Sequence, residues 1–370
     1  MKSVTRKYVE FGAFSLLAIA ILWWFGRHLD WAEVGGSVRR ANPYLLALAV
    51  VVICSTYFLR AARWSALLAP LSPASMRNLF VATTVGFGAL FLFGRMGEIV
   101  RPLVLPMRDP RIRPSASFVT IMVERIYDTL AVVVFFAANL IWMKPPANFV
   151  IEFNRVRVAG ILLLAAVLLG VFGMMIFRRN SESLLNWLRG TLERRRFIPA
   201  KLTKALIHIL EQLARALRVL VNARELFVTV GWTIALWTGI GLGNWLVFRA
   251  FGLQFGIAQT VFVMGWALVG SLVPTPGGAA GAFHAATAGA LIFLGVGREN
   301  AAATSIVLHL VDFGPALILG LIYIVRGDVN IRNLRSKAAL EVDPDEIDLE
   351  EILPGETFNQ NPLHKAVARN

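Results

Sequence analysis

Apolar runs long enough to cross a bilayer constrain this 370-residue chain more than any other feature. They occupy about 9–25, 43–59, 115–143, 157–177, 226–251 and 299–325. A helix needs roughly 20 mostly apolar residues to span the hydrocarbon core. None of the runs alternates polar and apolar residues as a barrel strand would, so each is expected to be helical. Three less regular runs, 75–94, 256–273 and 281–297, lie between them. Composition agrees, with 57% hydrophobic and only 16% charged residues, against roughly a quarter charged in soluble domains. The expected fold class is all-α, a polytopic membrane helix bundle. It has about six full spans plus re-entrant or broken helices, or eight spans if 256–297 crosses as two helices. One transmembrane domain, 1–326, precedes a polar tail, 327–370, that turns acidic after Leu340. The tail is expected to be largely disordered.

The net charge of +14 would suggest nucleic acid in a soluble protein, but no basic-aromatic module accompanies it. The basic residues sit between apolar runs, where the positive-inside rule places cytoplasmic loops. Membrane lipids are therefore the expected contact, and nucleic acid is not. The segment 178–224 is the most basic, and its leucines recur at helical spacing. It reads equally as an amphipathic helix on the inner membrane surface or as a solvated connector. Lys2, Arg6 and Lys7 precede the run 9–25, and no small-residue cleavage site follows it. That run is expected to be a retained first span, with both termini cytoplasmic in a plasma (inner) membrane. A single cysteine, Cys54, excludes a disulfide framework and thiol metal clusters within the sequence.

The loop 95–114 carries five arginines and belongs on the same side as Arg60 and Arg63. One crossing by 75–94 would put it on the wrong side. A re-entrant hairpin within 75–94, loosened by Gly86, Gly88 and Gly94, resolves the parity. The pair 256–273 and 281–297 fits either two full spans or a second re-entrant pair. Gly/Pro-interrupted helices in both halves point to a binding site in transporters.

Four motifs at membrane depth carry the candidate site. Arg95, Glu98 and Arg101 fall three apart on one side of a helical turn. Glu124 and Asp128 share a helix face, with Arg125 within reach of Asp128. Charges at this depth cost about 2.5–3.5 kcal/mol each on the mildest scale, so they must pair with one another or line a polar cavity. The pairing reading is a network that locks helices. The cavity reading is a pocket in which arginines hold a headgroup phosphate. Glu124 and Asp128 would suit a divalent cation, but Arg125 between them favours charge balance, so no metal and no cofactor is expected. Pro274-Thr275-Pro276-Gly277-Gly278 cannot continue a helix. It is either an ordinary turn between spans or irregular backbone lining a cavity, which is tolerated at this depth. His284 is a packed core histidine or a polar group in that cavity. His309 and Asp312, three apart in the last span, form either a proton relay or packing support.

In this order, Gly97-Glu98-Ile99-Val100-Arg101, Glu124-Arg125-Ile126-Tyr127-Asp128 and Pro274-Thr275-Pro276-Gly277-Gly278 resemble the flippase-like family that includes the transmembrane region of lysylphosphatidylglycerol synthases. The resemblance covers roughly residues 5–330. It implies translocation of an anionic, polyprenyl-linked or hopanoid-type lipid. Two positions depart from the family pattern: His284 stands where many relatives carry glutamate, and His309 stands near where many carry arginine. The large soluble domain of the synthases has no counterpart in the sequence, so the expectation is a lipid flippase or transporter and not an enzyme. An accessory membrane subunit, or a membrane enzyme, of lipid-linked glycan biosynthesis is the alternative. A second copy of the chain and a biosynthetic enzyme are the protein partners considered.

Overall fold

The computed structural model describes residues 29–69, 71–145, 149–179, 223–273 and 276–329, with 20, 23, 26 and 27 ahead of them. The run 9–25, most of the basic segment 178–224, the tail from 330, and Pro274 and Thr275 therefore lie outside the described residues, apart from residues 20 and 23 of that run. The described chain is helical throughout and holds no strand. Its order is α1 (Trp31–Arg40), α2 (Pro43–Leu68), α3 (Met76–Phe93), a 3-10 turn (Gly94–Ile99) and α4 (Val100–Arg108). Then come α5 (Pro114–Trp142), α6 (Val150–Arg179), α7 (Ala223–Ala250), α8 (Ile257–Ser271), α9 (Pro276–Phe293) and α10 (Arg298–Val325). Among the described residues five helices are long and apolar enough to cross a membrane: α2, α3, the 150–170 part of α6, the 226–250 part of α7, and α10. The chain is a polytopic helical bundle. Local chemistry sets the helix starts. Asn42 caps α2 by accepting from the amides of Tyr44 and Leu45 at 3.0 and 3.2 Å, and Pro43 follows at the first helical position.

The first hairpin differs from the sequence expectation. The run 76–93 is one unbroken helix, and Gly86 and Gly88 do not open it. The reversal comes at Gly94, whose φ of 62° suits glycine, and the returning arm is the 3-10 turn plus α4. Antiparallel pairing is explicit in the contacts. Gly97 lies against the backbone of Ala89, Gly86 against Cβ of Arg101, and Asn78 accepts from Arg108 at 3.1 Å. The glycines are there for close approach of two backbones. A Cβ on Gly97 would stand 2.3 Å from the carbonyl carbon of Ala89. Gly97→Ala is therefore expected to cost about 1–3 kcal/mol. Gly241→Ala, with nothing within 4 Å, should leave thermal unfolding in detergent unchanged.

The mouth of this hairpin is tied to the end of α10. Arg108 donates to the backbone oxygen of Asp328 and, at 3.2 Å, to its Oδ1, while Arg77 lies 3.6 Å from the same oxygen. At the α4–α5 connection, Asp109 accepts from Arg111 Nε and Nη2 at 2.8 and 2.7 Å. That hydrogen-bonded cation holds the Asp109 carboxyl below its ordinary value. A depressed carboxylate stabilises the fold above its unfolded pKa and loses that contribution as pH falls through the folded one. Hydrogen exchange in 109–113 is thus expected to quicken only below the ordinary aspartate range, and Asp109→Asn should abolish the acid step.

The second half repeats the first half's order. In the first half a span (α2), a hairpin (α3–α4) and a second long helix (α5) follow one another. In the second half α7, the α8–α9 hairpin and α10 do the same. Gly270 abuts the backbone of Ala282, closing the α8–α9 pair. At 15 residues, α8 is shorter than a typical crossing, which matches the re-entrant alternative. The two hairpins open on opposite faces of the bundle. The Asn42 amide donates to the Ala250 carbonyl, Asn139 to the Ala258 carbonyl, and Phe149 stacks on Phe293, so these termini share one face. Ser75, Asp109 and Asp328 lie on the other. The packing across the halves follows the repeat: α2 lies against its counterpart α7, and the contact of α3 with α10 is matched by that of α8 with α5. No residue-level repeat is legible in the sequence. The repeat lies in the order of elements, the inverted arrangement common in transporters.

Candidate functional site

Three arginines and two carboxylates meet in the middle of the first half. Arg63, on α2 and fully buried, is bidentate to Asp128: Nη1 to Oδ1 at 2.6 Å and Nη2 to Oδ2 at 3.1 Å. Its Nη2 also lies 3.1 Å from Glu124 Oε1. Arg101, carried in by the returning arm of the hairpin, is bidentate to Glu124 at 2.5 and 3.0 Å. Arg125 approaches Glu124 at 3.2 Å and Asp128 at 3.3 Å. The four-residue spacing of Glu124 and Asp128 puts both on the α5 face that meets α2, so one arginine bridges them.

Polar and aromatic neighbours complete the cluster. Trp237 of α7 donates Nε1 to Asp128 at 3.2 Å, and Thr233 accepts from Arg63 at 3.3 Å. The Arg101 guanidinium lies 4.3 Å over the Trp64 ring, whose Nε1 donates to Thr120 at 2.9 Å. Planar guanidinium groups can bind carboxylate edge-on and stack on an aromatic face at once, which lysine cannot do. Glu98 lines a small adjoining pocket with Arg101, Arg125, Gly86 and Phe87. For the inner residues the geometry realises the pairing reading of the membrane-depth charges.

A second space, mostly apolar in its lining, adjoins the network. A cavity of about 90 Å³ is lined by Tyr57, Arg60, Asn244, Ser271, Phe283 and Asp312, among others. Its volume admits several waters. The Arg60 guanidinium lies 4.5 Å over Phe87. Among the described residues no carboxylate comes within ion-pairing distance of it, and its buried Nε has no hydrogen-bond partner. With the Asn244 amide turned so that Nδ2 faces the carboxylate, it donates to Asp312 Oδ1 at 3.0 Å. Tyr57 donates to the Asp312 carbonyl at 2.6 Å. Pro315, inside α10 just beyond, lacks an N–H and loosens the local ladder.

The remaining candidates fall in separate places. His284 and His309 face each other at 4.9 Å, and Phe283, Phe91 and Phe313 crowd His309. Pro276, Gly277 and Gly278 form the first turn of α9, beside the reversal of the second hairpin. Arg95 sits in the 3-10 turn of the first hairpin. No group of three or more metal-ligating side chains occurs among the described residues.

The sequence reading used Arg60 and Arg63 only to orient a loop and passed over Tyr57, Trp237 and Asn244. A signal was present for the two arginines. Trp64-Ser65-Ala66-Leu67-Leu68 continues the apolar helix beyond them, so they lie inside the span and not at its end. Nothing in the sequence marks Trp237 or Asn244, which tertiary packing alone brings to the site.

This bundle of spans and opposed hairpins around buried arginines defines a class of polytopic membrane protein. Residues 13–320 match the family model for the transmembrane region of lysylphosphatidylglycerol synthase, and the chain belongs to that family. It is also 24% identical over 338 residues to a UPF0104 membrane protein of Pyrococcus horikoshii. That match covers 87% of this chain and 97% of the archaeal protein.

Proposed function

We propose that the protein translocates a lipid with an anionic headgroup across the membrane, with the headgroup received in the cavity at Arg60. The observation that carries this reading is a buried guanidinium facing a mostly apolar cavity of water-holding size, with no carboxylate bonded to it. Arginine is the side chain best shaped to hold a phosphate at two oxygens. Its burial is costly unless something pairs with it. The neighbouring network supports the reading by fixing the cavity's walls, because Arg63, Arg101 and Arg125 satisfy Glu124 and Asp128 and leave neither free to compete for Arg60. The inverted order of the two hairpins supports alternating exposure of the cavity to the two faces. Membership of a family named for a lipid synthase's membrane region is in keeping with a lipid substrate. No covalent step is required, so the protein acts as a transporter and not as an enzyme. The basic face, with Arg77, Arg108, Arg111 and Arg113, is the cytoplasmic side of a plasma (inner) membrane by the positive-inside rule.

The test is scrambling of fluorescent lipid in phosphatidylcholine vesicles that contain the full chain. Labelled phosphatidylglycerol is expected to cross at least about tenfold faster than labelled phosphatidylcholine, whose choline cation cancels the phosphate charge and is repelled by Arg60, a difference of about 1.4 kcal/mol. Equal rates for both lipids, or no protein-dependent movement, would overturn the reading.

A further inference from the structure

The inverted repeat brings two aspartates to equivalent positions and gives them different partners. Asp128 stands fourteen residues after the start of α5, and Asp312 fourteen after the start of α10. On the preceding spans, Arg63 lies five residues before the end of α2, and Asn244 six before the end of α7. In the first half, therefore, a carboxylate is neutralised by a bidentate arginine. In the second half the corresponding carboxylate meets an amide through one hydrogen bond at 3.0 Å. No ion pair to Asp312 exists among the described residues. The cation that lines the same cavity is Arg60.

From this juxtaposition we propose that Asp312 is the site of a coupling proton: it binds H⁺ when the anionic headgroup binds at Arg60, so that lipid and proton cross together. This rests on the lipid reading above. While Asp312 carries its charge, its field across the cavity balances Arg60 and opposes a second anion. One proton on the carboxylate gives a neutral acid and leaves the Arg60 charge to the headgroup. When the headgroup leaves, the carboxylate releases the proton and again balances Arg60. Charge is conserved at each stage: one anion enters with one proton. Ionisable side chains at membrane depth that face a water-accommodating cavity are suited to this use.

The groups facing Asp312 are few. On α2 they are Arg60 and Tyr57, the latter bonded to the Asp312 backbone. On α7 it is Asn244, with Trp237 further along the cavity wall. From α3 only Phe87 reaches the cavity, and from α9 only Phe283. The histidine pair His284 and His309 packs with Phe283 beside the cavity and is not part of its lining. Helix α1 also packs on α10, and none of its side chains lines the cavity.

Two measurements decide the matter. In the vesicle assay, an imposed gradient of about one pH unit should bias labelled phosphatidylglycerol toward the alkaline side by up to about tenfold, one proton's worth of driving force. Lipid movement that ignores the gradient overturns the coupling and leaves the lipid reading standing. Absence of lipid movement overturns the lipid reading instead. The proton is then sought directly, by adding inorganic phosphate to weakly buffered, detergent-solubilised full-length protein and following an indicator dye. Wild type should take up a proton on binding. Asp312→Asn should not, and Asp312→Glu should restore uptake. Infrared difference spectra between acid and alkaline samples should show a carboxylic C=O band that Asp312→Asn removes whether or not transport survives. Uptake or a band that persists in Asp312→Asn would overturn the assignment, as would their absence from wild type.

Discussion

Arg63→Ala is expected to destabilise the protein by about 3–5 kcal/mol, the range for breaking a buried ion pair from one side. The loss exceeds that of a severed hydrogen bond because of what remains. Asp128 would keep only Arg125 at 3.3 Å and the Trp237 indole at 3.2 Å. Glu124 would keep Arg101 and Arg125 but lose the group that separates it from Asp128. Two carboxylates on one helix face, both buried, would then repel across a low-dielectric gap. Single substitutions that cost this much are uncommon and belong to a short set of causes, of which an unpaired buried charge is one. The check is thermal unfolding in detergent, read by intrinsic fluorescence and by retention of the monodisperse peak. Arg63→Gln combined with Asp128→Asn should recover more than half of the loss, since an amide pair spans the gap without leaving a charge. A single-variant loss below about 1 kcal/mol would show that the cluster does not hold α2, α5 and the hairpin together.

That network also shows why some of the molecule was legible in the sequence and some was not. The span positions were legible because bilayer thickness translates into a count of apolar residues, and that count survives any packing. Glu124 and Asp128 were legible because four-residue spacing is fixed by the helix itself. The first hairpin was half legible. Parity demanded a reversal, expected within 75–94, but Gly86 was taken as a loosening residue, whereas Gly86 and Gly97 are sites of close approach. Spacing alone does not distinguish a glycine that bends a helix from one that admits a neighbour. Asn244 and Trp237 were invisible, because each is unremarkable on α7 and acquires its role only from the antiparallel packing of α7 on α2. The pairing of Asp128 with Asp312 depends on the inverted order of elements, which no comparison of residues displays.

Arg60→Gln is expected to leave stability within about 0.5 kcal/mol of wild type while cutting translocation of the anionic lipid about ten- to a hundredfold. The two halves of this expectation come from one geometry. Arg63 and Arg60 are less than a turn apart on α2, yet only Arg63 is bonded to carboxylates. Removing Arg60 breaks no hydrogen bond or ion pair: its contacts are the Phe87 face at 4.5 Å and the cavity, and Asp312, which it balances across that cavity, can take up a proton in its place. It also removes the cost of a cation held at membrane depth without a bonded counter-charge, which offsets the lost stacking. Function responds differently, because the headgroup would lose a charge-assisted contact worth about 1.5–3 kcal/mol. Arg60→Lys restores charge but not the planar fork, so it should recover part of the rate for a phosphate monoanion and less for a bulkier headgroup. The measurement is the vesicle scrambling rate alongside the melting temperature of the same preparation. Loss of both together would make Arg60 another member of the structural network. Loss of neither would remove it from the path of the headgroup. A rate that falls while the melting temperature holds is the outcome that separates a binding arginine from a bracing one three residues away.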